Sequence, residues 1–130
     1  MRYLLDTHAV IWHFEDSPEL SKKIKEIIDN PKNEVCISSV SLWEIAIKIN
    51  IGKLDLDIAL DKLLAEIKSN DFEILQIEDD YLKGLSALPS IHKDPFDRLL
   101  VSTALAEEMT ILTADENIQK YNVKWIWQAR

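Results

Sequence analysis

Four acidic residues occupy positions from which carboxylates can hold a divalent cation: Asp6, Glu44, Asp97 and Asp115. Two carboxylates about 5 Å apart repel each other by about 3 kcal/mol at an effective dielectric near 20, so a cluster of them requires a cation. Oxygen ligands without a neighbouring cysteine or paired histidine favour Mg²⁺ or Mn²⁺ over zinc. Because bound Mg²⁺ commonly takes phosphate oxygens as further ligands, the pattern points to hydrolysis of phosphate esters.

Each acidic residue also fits an ordinary role at the start of a helix. Residues 41–44 read Ser-Leu-Trp-Glu, the spacing of a capping box, and Asp115 can cap a helix predicted over 116–121. Asp6 and Asp97 lie where the helix dipole favours negative charge. A cap contributes about 1 kcal/mol, less than the repulsion within a cluster. Only convergence at one place distinguishes a site from scattered caps.

Apolar runs that alternate with helical patterns predict the elements that would bring these acids together. Short strands are expected at 2–5, 34–38, 72–77, 110–113 and 123–127. Helices are expected from Ser17-Pro18, over 40–49, near 60–67, over 80–88 and from Asp94-Pro95. The alternation predicts an α/β domain with three layers, α/β/α, around a parallel sheet of four or five strands. Ligands of such sheets bind at the carboxyl ends of the strands, where the four acids would lie.

Length and composition describe one domain over residues 1–130, with a formal net charge of -8. The two glycines, Gly52 and Gly84, are too few for a dinucleotide fingerprint, a P-loop or a serine-hydrolase elbow. Cys36 lies in an apolar run and is expected to be buried rather than reactive. A single cysteine, with neither a membrane-spanning run nor a signal-peptide core, predicts a protein of the reducing cytoplasm.

The acidic balance argues against a nucleic-acid partner, because basic groups supply most of the affinity for phosphates. This objection weakens if the carboxylates hold divalent cations, since the site then presents positive charge to a phosphate.

Four segments, taken in order along the chain, resemble the motifs of PIN-domain ribonucleases, and most of all VapC-type toxins of type II toxin-antitoxin systems. The segments are residues 4–9 (LLDTHA), 38–45 (SSVSLWEI), 92–100 (HKDPFDRLL) and 112–115 (LTAD). The resemblance spans essentially the whole chain. It implies a PIN-like fold and an Mg²⁺-dependent endoribonuclease that hydrolyses RNA phosphodiesters with a metal-activated water. It also implies a homodimer neutralised by a cognate antitoxin protein.

By this resemblance, Asp6, Glu44, Asp97 and Asp115 are the catalytic and metal-binding residues, with Mn²⁺ as a possible substitute for Mg²⁺. Asp94 is a second-tier ligand or only a helix cap. Candidate substrate-binding residues are Thr7, Thr113, Arg98, Lys48 and His92, with Lys53 and Lys93 as further phosphate contacts. Thr7 and Thr113 also fit local caps, and Lys48 fits an i,i+4 ion pair with Glu44.

Two other functions fit parts of the sequence. His8, His13 and His92 allow a metal-free nuclease that uses imidazoles as acid and base, although this leaves the carboxylates unexplained. The chain could also be a catalytically inactive PIN-fold module that acts by binding a protein partner; retention of all four acids argues against it. Surplus apolar residues at Trp12, Phe14, Ile49 and Ile51 fit an interface, and a basic antitoxin segment would suit an acidic edge.

Overall fold

The computed structural model describes residues 1–127; residues 128–130 of the predicted domain lie outside the described part. The strands are β1 (Arg2–Leu5), β2 (Glu34–Ser38), β3 (Glu73–Leu75), β4 (Thr110–Leu112) and β5 (Trp125–Ile126). The helices are α1 (Thr7–Phe14), α2 (Lys22–Asp29), α3 (Ser39–Asn50), α4 (Leu60–Ser69), α5 (Asp79–Ser86), α6 (Pro95–Glu107) and α7 (Glu116–Gln119).

The five strands form one sheet in the order β3-β2-β1-β4-β5, and every neighbouring pair is parallel. The chain builds outward from β1 through β2 to β3, then crosses back to place β4 on the other side of β1. The connections after β1 and β4 therefore lead to opposite sides. Such a switch point opens a crevice beyond the carboxyl ends of the two strands.

Alternate residues of the strands pack into two separate hydrophobic cores. Tyr3 and Leu5 of β1 belong to a core with residues of α1, α2 and α4, whereas Leu4 and Cys36 belong to a core with α6 and α7. Because strand side chains alternate between faces, helices cover both faces of the sheet. This confirms the predicted three-layer α/β/α class with a parallel sheet. Cys36 is fully buried as predicted, and burial raises the pKa of its thiol to about 12.

The predicted helix start at Ser17-Pro18 is wrong. The hydroxyl of Ser17 accepts a hydrogen bond from the amide of Glu19 in a turn, and the helix begins at Lys22, capped by Ser21. Leu20 lies between the two serines and is 2% exposed. Since burial of a leucine contributes about 2 kcal/mol, against about 1 kcal/mol for a cap, the packing of Leu20 favours the later cap.

Within residues 1–127, no helix has the length and apolar character needed to cross a membrane.

Close packing of α5 against α6 leads to a stability prediction for Gly84. A Cβ atom at this position would lie 2.7 Å from Oγ of Ser102, whose hydroxyl donates a hydrogen bond to the carbonyl of Tyr81. We expect Gly84→Ala to lower the free energy of unfolding by about 1–2 kcal/mol, measured by urea denaturation. In a Ser102→Ala background the added cost should fall by half or more; equal costs in both backgrounds would contradict this explanation.

Candidate functional site

The ends of β1 and β4 are joined through an acid and a threonine. The amide of Asp6, directly after β1, donates a hydrogen bond to the carbonyl of Leu112 at 3.2 Å. The hydroxyl of Thr113 donates to Oδ2 of Asp6 at 2.5 Å and accepts from the amide of Asp115 at 3.0 Å. One fully buried threonine therefore links the two acids that follow these strands.

Asp6 and Asp115 both cap helices, as the local sequence allows. Oδ1 of Asp6 accepts from the amide of Ala9 at 2.8 Å, at the start of α1. Oδ1 of Asp115 accepts from the amides of Asn117 and Ile118, at the start of α7. A carboxylate has about four lone-pair positions, so each of these caps retains the capacity to accept further partners.

Glu44 is held inside the molecule from two sides. Glu44 is only 3% exposed, and it lies on α3, the helix that follows the carboxyl end of β2. The hydroxyl of Thr7 donates to Oε1 at 2.6 Å, and Nζ of Lys48 lies 2.6 Å from Oε2. The i,i+4 ion pair expected for Lys48 is therefore present.

The capping box predicted over residues 41–44 is not formed. Helix α3 begins three residues earlier than a Ser41 cap requires, and Oγ of Ser38 accepts from the amide of Val40 to cap it. Ser41 is fully buried, and its Oγ lies 3.1 Å from Oγ1 of Thr7. Glu44 therefore has no capping role, and its carboxylate contacts Thr7 and Lys48.

Asp97 lies in the first turn of α6. Asp94 caps this helix by accepting from the amide of Asp97 at 3.0 Å. The side chain of Asp97 is 15% exposed, and its Oδ2 lies 3.3 Å from Nε2 of His92. Nδ1 of His92 lies 2.8 Å from the hydroxyl of Tyr121, so the imidazole is fixed at both nitrogens.

The predicted acids act on one another electrostatically. Burial, followed by the negative charges of its neighbours, raises the pKa of Asp97 to about 8; these neighbours are Asp94, Asp115, Glu44 and Asp6. Burial raises the pKa of Asp6 to about 6, and the charge of Asp115 adds to the increase. We refer to Asp6, Glu44, Asp97 and Asp115 as the acidic cluster.

The tightest group of ligand atoms lies away from the acidic cluster. Within residues 1–127, the group of three ligand atoms that lie within 4.8 Å of one another belongs to Glu34, Cys36 and Glu73, at the opposite edge of the sheet. There, Arg2 pairs with Glu34 at 3.1 Å, and Cys36 belongs to a hydrophobic core. The negative charges of neighbouring members of the acidic cluster therefore raise the pKa of Asp6 and Asp97, although no three ligand atoms of the cluster lie within 4.8 Å of one another.

Arg98, predicted as a phosphate contact, is occupied within the protein. Its guanidinium donates to the carbonyls of Leu88, Pro89 and His92 and to the hydroxyl of Tyr121. These hydrogen bonds hold residues 88–92, the segment before α6, against Arg98, and they account for the position of His92 beside the acidic cluster. Sequence reasoning missed Tyr121, which contacts both residues, because it lies in an irregular segment without a motif.

The predicted apolar interface residues are largely packed. Trp12, Phe14 and Ile49 are partly buried against the first core, and Ile51 is 55% exposed. Trp43 is also exposed, by 58%, and the centroid of its ring lies 5.4 Å from that of Phe96.

Residues 3–124 match the sequence profile of the PIN domain. The chain belongs to the PIN domain family. No curated protein matches it. The match covers β1 to β4, apart from the first residue of β1, and ends just before β5.

This PIN domain is similar in fold to chains of several solved structures. For VapBC2 from Rickettsia felis bound to a DNA fragment from their promoter, the TM-score is 0.74 at 20% identity, over 97% of this chain and 98% of that one. A toxin-antitoxin complex from Klebsiella pneumoniae gives 0.67 at 16% identity, over 96% of each chain. VapBC-1 from nontypeable Haemophilus influenzae gives 0.65 at 17% identity, over 97% of each. The chain therefore shares its fold with chains of these structures.

The raised pKa values predict how the stability of this PIN domain depends on pH in the absence of divalent cations. A carboxyl whose folded-state pKa is raised contributes stability that is present below pH 4 and lost as the pH rises through the folded value. We expect the melting temperature in EDTA to fall as the pH rises through about 6 and about 8, the pKa values of Asp6 and Asp97.

The matched control is Asp97→Asn, which mimics the neutral carboxyl. Its melting temperature should exceed that of the wild type at pH 8 and match it near pH 4, as measured by circular dichroism. Parallel curves for the two proteins across this range would contradict the raised pKa of Asp97.

Proposed function

We propose that this PIN domain is an Mg²⁺-dependent endoribonuclease and the toxin of a toxin-antitoxin pair. The observation that carries the proposal is the convergence of four buried or half-buried carboxylates at the switch point of the sheet. Charge repulsion within the acidic cluster disfavours its ionised form, and a divalent cation offsets that repulsion. Nuclease activity is typical of the PIN domain family. The fold is shared with chains of toxin-antitoxin complexes.

The donor set of the acidic cluster fits a hard cation. Asp6, Glu44, Asp97 and Asp115 would hold Mg²⁺, or Mn²⁺ in its place, with Asp94 in a second tier behind Asp97. All these donors are carboxylate oxygens, which suit Mg²⁺ and Mn²⁺. When bound, the ion would lower the pKa of a water and stabilise charge on the phosphate.

Neighbouring side chains orient the proposed ligands. The hydroxyl of Thr113 holds Oδ2 of Asp6, and the hydroxyl of Thr7 holds Oε1 of Glu44. Nε2 of His92 contacts Oδ2 of Asp97 in a similar way, at 3.3 Å. Such contacts fix the direction of the remaining lone pairs, and their loss typically weakens a metal site by about 10–100-fold.

The proposed reaction is hydrolysis of an RNA phosphodiester. Water attacks phosphorus, the bond from phosphorus to the 3′ oxygen breaks, and the products carry a 5′ phosphate and a 3′ hydroxyl. Since this attack does not use the ribose 2′ hydroxyl, selection of RNA depends on contacts with the strand rather than on the chemistry. Thr7, Thr113, Lys48 and His92 remain proposed contacts near the scissile phosphate, whereas Arg98 acts through the positions of its neighbours.

An antitoxin protein is the proposed partner, and a homodimer is the proposed assembly. The similar solved structures are complexes of toxins with antitoxins. A basic segment of the antitoxin would neutralise the acidic cluster and exclude RNA from it. We place the protein in the cytoplasm, where RNA and a newly made antitoxin are both present. Growth arrest on expression, relieved by a neighbouring small gene, tests the toxin assignment.

A binding module without catalytic activity is the second candidate. It is favoured by the capping bonds of Asp6, Asp94 and Asp115, which give these acids a structural use. Glu44 argues against it, because no capping role accounts for a carboxylate with 3% exposure. The two candidate functions predict different effects of replacing these carboxylates by neutral amides. A nuclease would lose activity, whereas acids that serve only as caps would lose stability.

We expect Asp6→Asn and Asp97→Asn each to reduce cleavage of RNA by at least about 100-fold, since each removes a charge that would stabilise the transition state through the ion. Their melting temperatures should equal or exceed that of the wild type, because repulsion is relaxed. Activity is measured on labelled RNA with Mg²⁺, with 5′-phosphate products identified. Asp61→Asn, an exposed acid on α4, is the control. Retained activity with lost stability would favour the capping role alone.

Millimolar Mg²⁺ or Mn²⁺ should raise the melting temperature of the wild type but not of the Asp6→Asn/Asp97→Asn double variant. A ligand at 100 times its dissociation constant stabilises the folded state by about 2.7 kcal/mol. Thermal denaturation with and without the ion measures this effect. Equal responses of the two proteins would contradict a cation site at the acidic cluster.

A further inference from the structure

A basic cleft lies immediately beside the acidic cluster. Its volume is about 230 Å³; its polar lining consists of Lys48, Lys53, His8 and Thr7, and its apolar lining consists of Ile11, Ile45 and Leu54. Among the residues that line it in the described part of the chain, there is no carboxylate. This composition is the reverse of the net charge of -8 on the whole chain. The cleft therefore suits an anionic ligand with an apolar portion.

The turn after α3 places the two lysines together. Gly52 adopts φ 75°, a left-handed conformation that other residues rarely take, and its amide donates to the carbonyl of Ile49. The chain then folds back, so that the amides of Lys53 and Leu54 both donate to the carbonyl of Lys48. Lys53 is exposed and forms no ion pair with residues 1–127. Its ammonium group is available to a ligand.

Shared residues connect the cleft with the acidic cluster. Thr7 lines the cleft and donates to Glu44, and Lys48 pairs with the same carboxylate. His8 lines both this cleft and a second one of about 180 Å³ that contains Asp6 and Asp115. A strand whose phosphate lies at the acidic cluster would meet the basic cleft with its adjoining nucleotide.

We propose that this cleft binds the nucleotide next to the scissile phosphate of a single-stranded RNA. Lys53, with His8 and Lys48, contacts the adjoining phosphate, and the apolar lining contacts the ribose and base. The inference rests on the proposed nuclease function. The charge of Lys53, unlike that of Lys48, is not paired with a carboxylate of residues 1–127, and it favours RNA over a basic antitoxin segment, which it would repel.

Lys53 gives the sharpest test, because it is exposed and its replacement leaves the acidic cluster intact. Binding of a fluorescein-labelled single-stranded RNA is measured by anisotropy in an Asp97→Asn background, which suppresses cleavage, over a range of salt concentrations. We expect Lys53→Ala to weaken binding by about 3–10-fold and to reduce the slope of log K against log salt by about 0.7, the value for one lost phosphate contact. Lys53→Arg should retain the slope.

Lys23→Ala, an exposed lysine of α2 that does not line the cleft, is the matched control and should leave both quantities unchanged. In the active protein, Lys53→Ala should raise KM with kcat within about 2-fold. Stabilisation by Mn²⁺ should be unaffected, which separates a strand contact from a metal ligand.

The outcomes separate the two proposals. If the wild type cleaves RNA and Lys53→Ala matches Lys23→Ala in affinity and salt slope, the cleft proposal is overturned and the nuclease proposal stands. If instead Lys53→Ala weakens only the complex with the antitoxin, the cleft is a protein-binding surface and the RNA proposal is likewise overturned. If the wild type does not cleave RNA under conditions where it binds Mn²⁺, the nuclease function itself fails.

Discussion

Repulsion among carboxylates buried at the carboxyl ends of β1 and β4 is the constraint on which the site depends. The parallel sheet places Asp6 and Asp115 at one switch point, and α3 and α6 add Glu44 and Asp97. Burial and mutual charge raise the pKa of Asp97 to about 8, so that its ionised form is unfavourable near neutral pH. A fold that maintains this arrangement favours binding of a cation, because the ion offsets the repulsion and the burial of carboxylates that are already in place.

Capping and site formation use the same atoms. Asp6, Asp94 and Asp115 each accept a backbone amide at the start of a helix, and the positive ends of α1, α6 and α7 therefore face one edge of the sheet. These dipoles offset part of the negative charge, which helps the folded protein tolerate the acidic cluster without an ion. The structural and the functional interpretation of these acids are therefore compatible.

Elements that depend on hydrophobic periodicity could be predicted from the sequence. Helix starts could not be predicted where tertiary contacts select one of several possible caps. Alternating apolar patterns were sufficient to predict the parallel sheet and its acidic edge. Ser17 and Ser41 both have the local features of helix caps. Because Leu20 is buried, however, Ser21 caps α2 instead of Ser17. Helix α3 begins at Ser39, so Ser41 lies within it. The hydrogen bonds that occupy Arg98 come from residues distant in sequence, so no motif could reveal them.

Binding of Mn²⁺, measured by calorimetry on single carboxamide variants, tests the central claim most directly. Neutralising any of Asp6, Glu44, Asp97 and Asp115 should weaken binding by at least about 10-fold, whereas Glu34→Gln and Glu73→Gln at the opposite edge should leave it unchanged. Binding that survives all four changes, or that is lost with Glu34 or Glu73 instead, would contradict a cation site at the switch point.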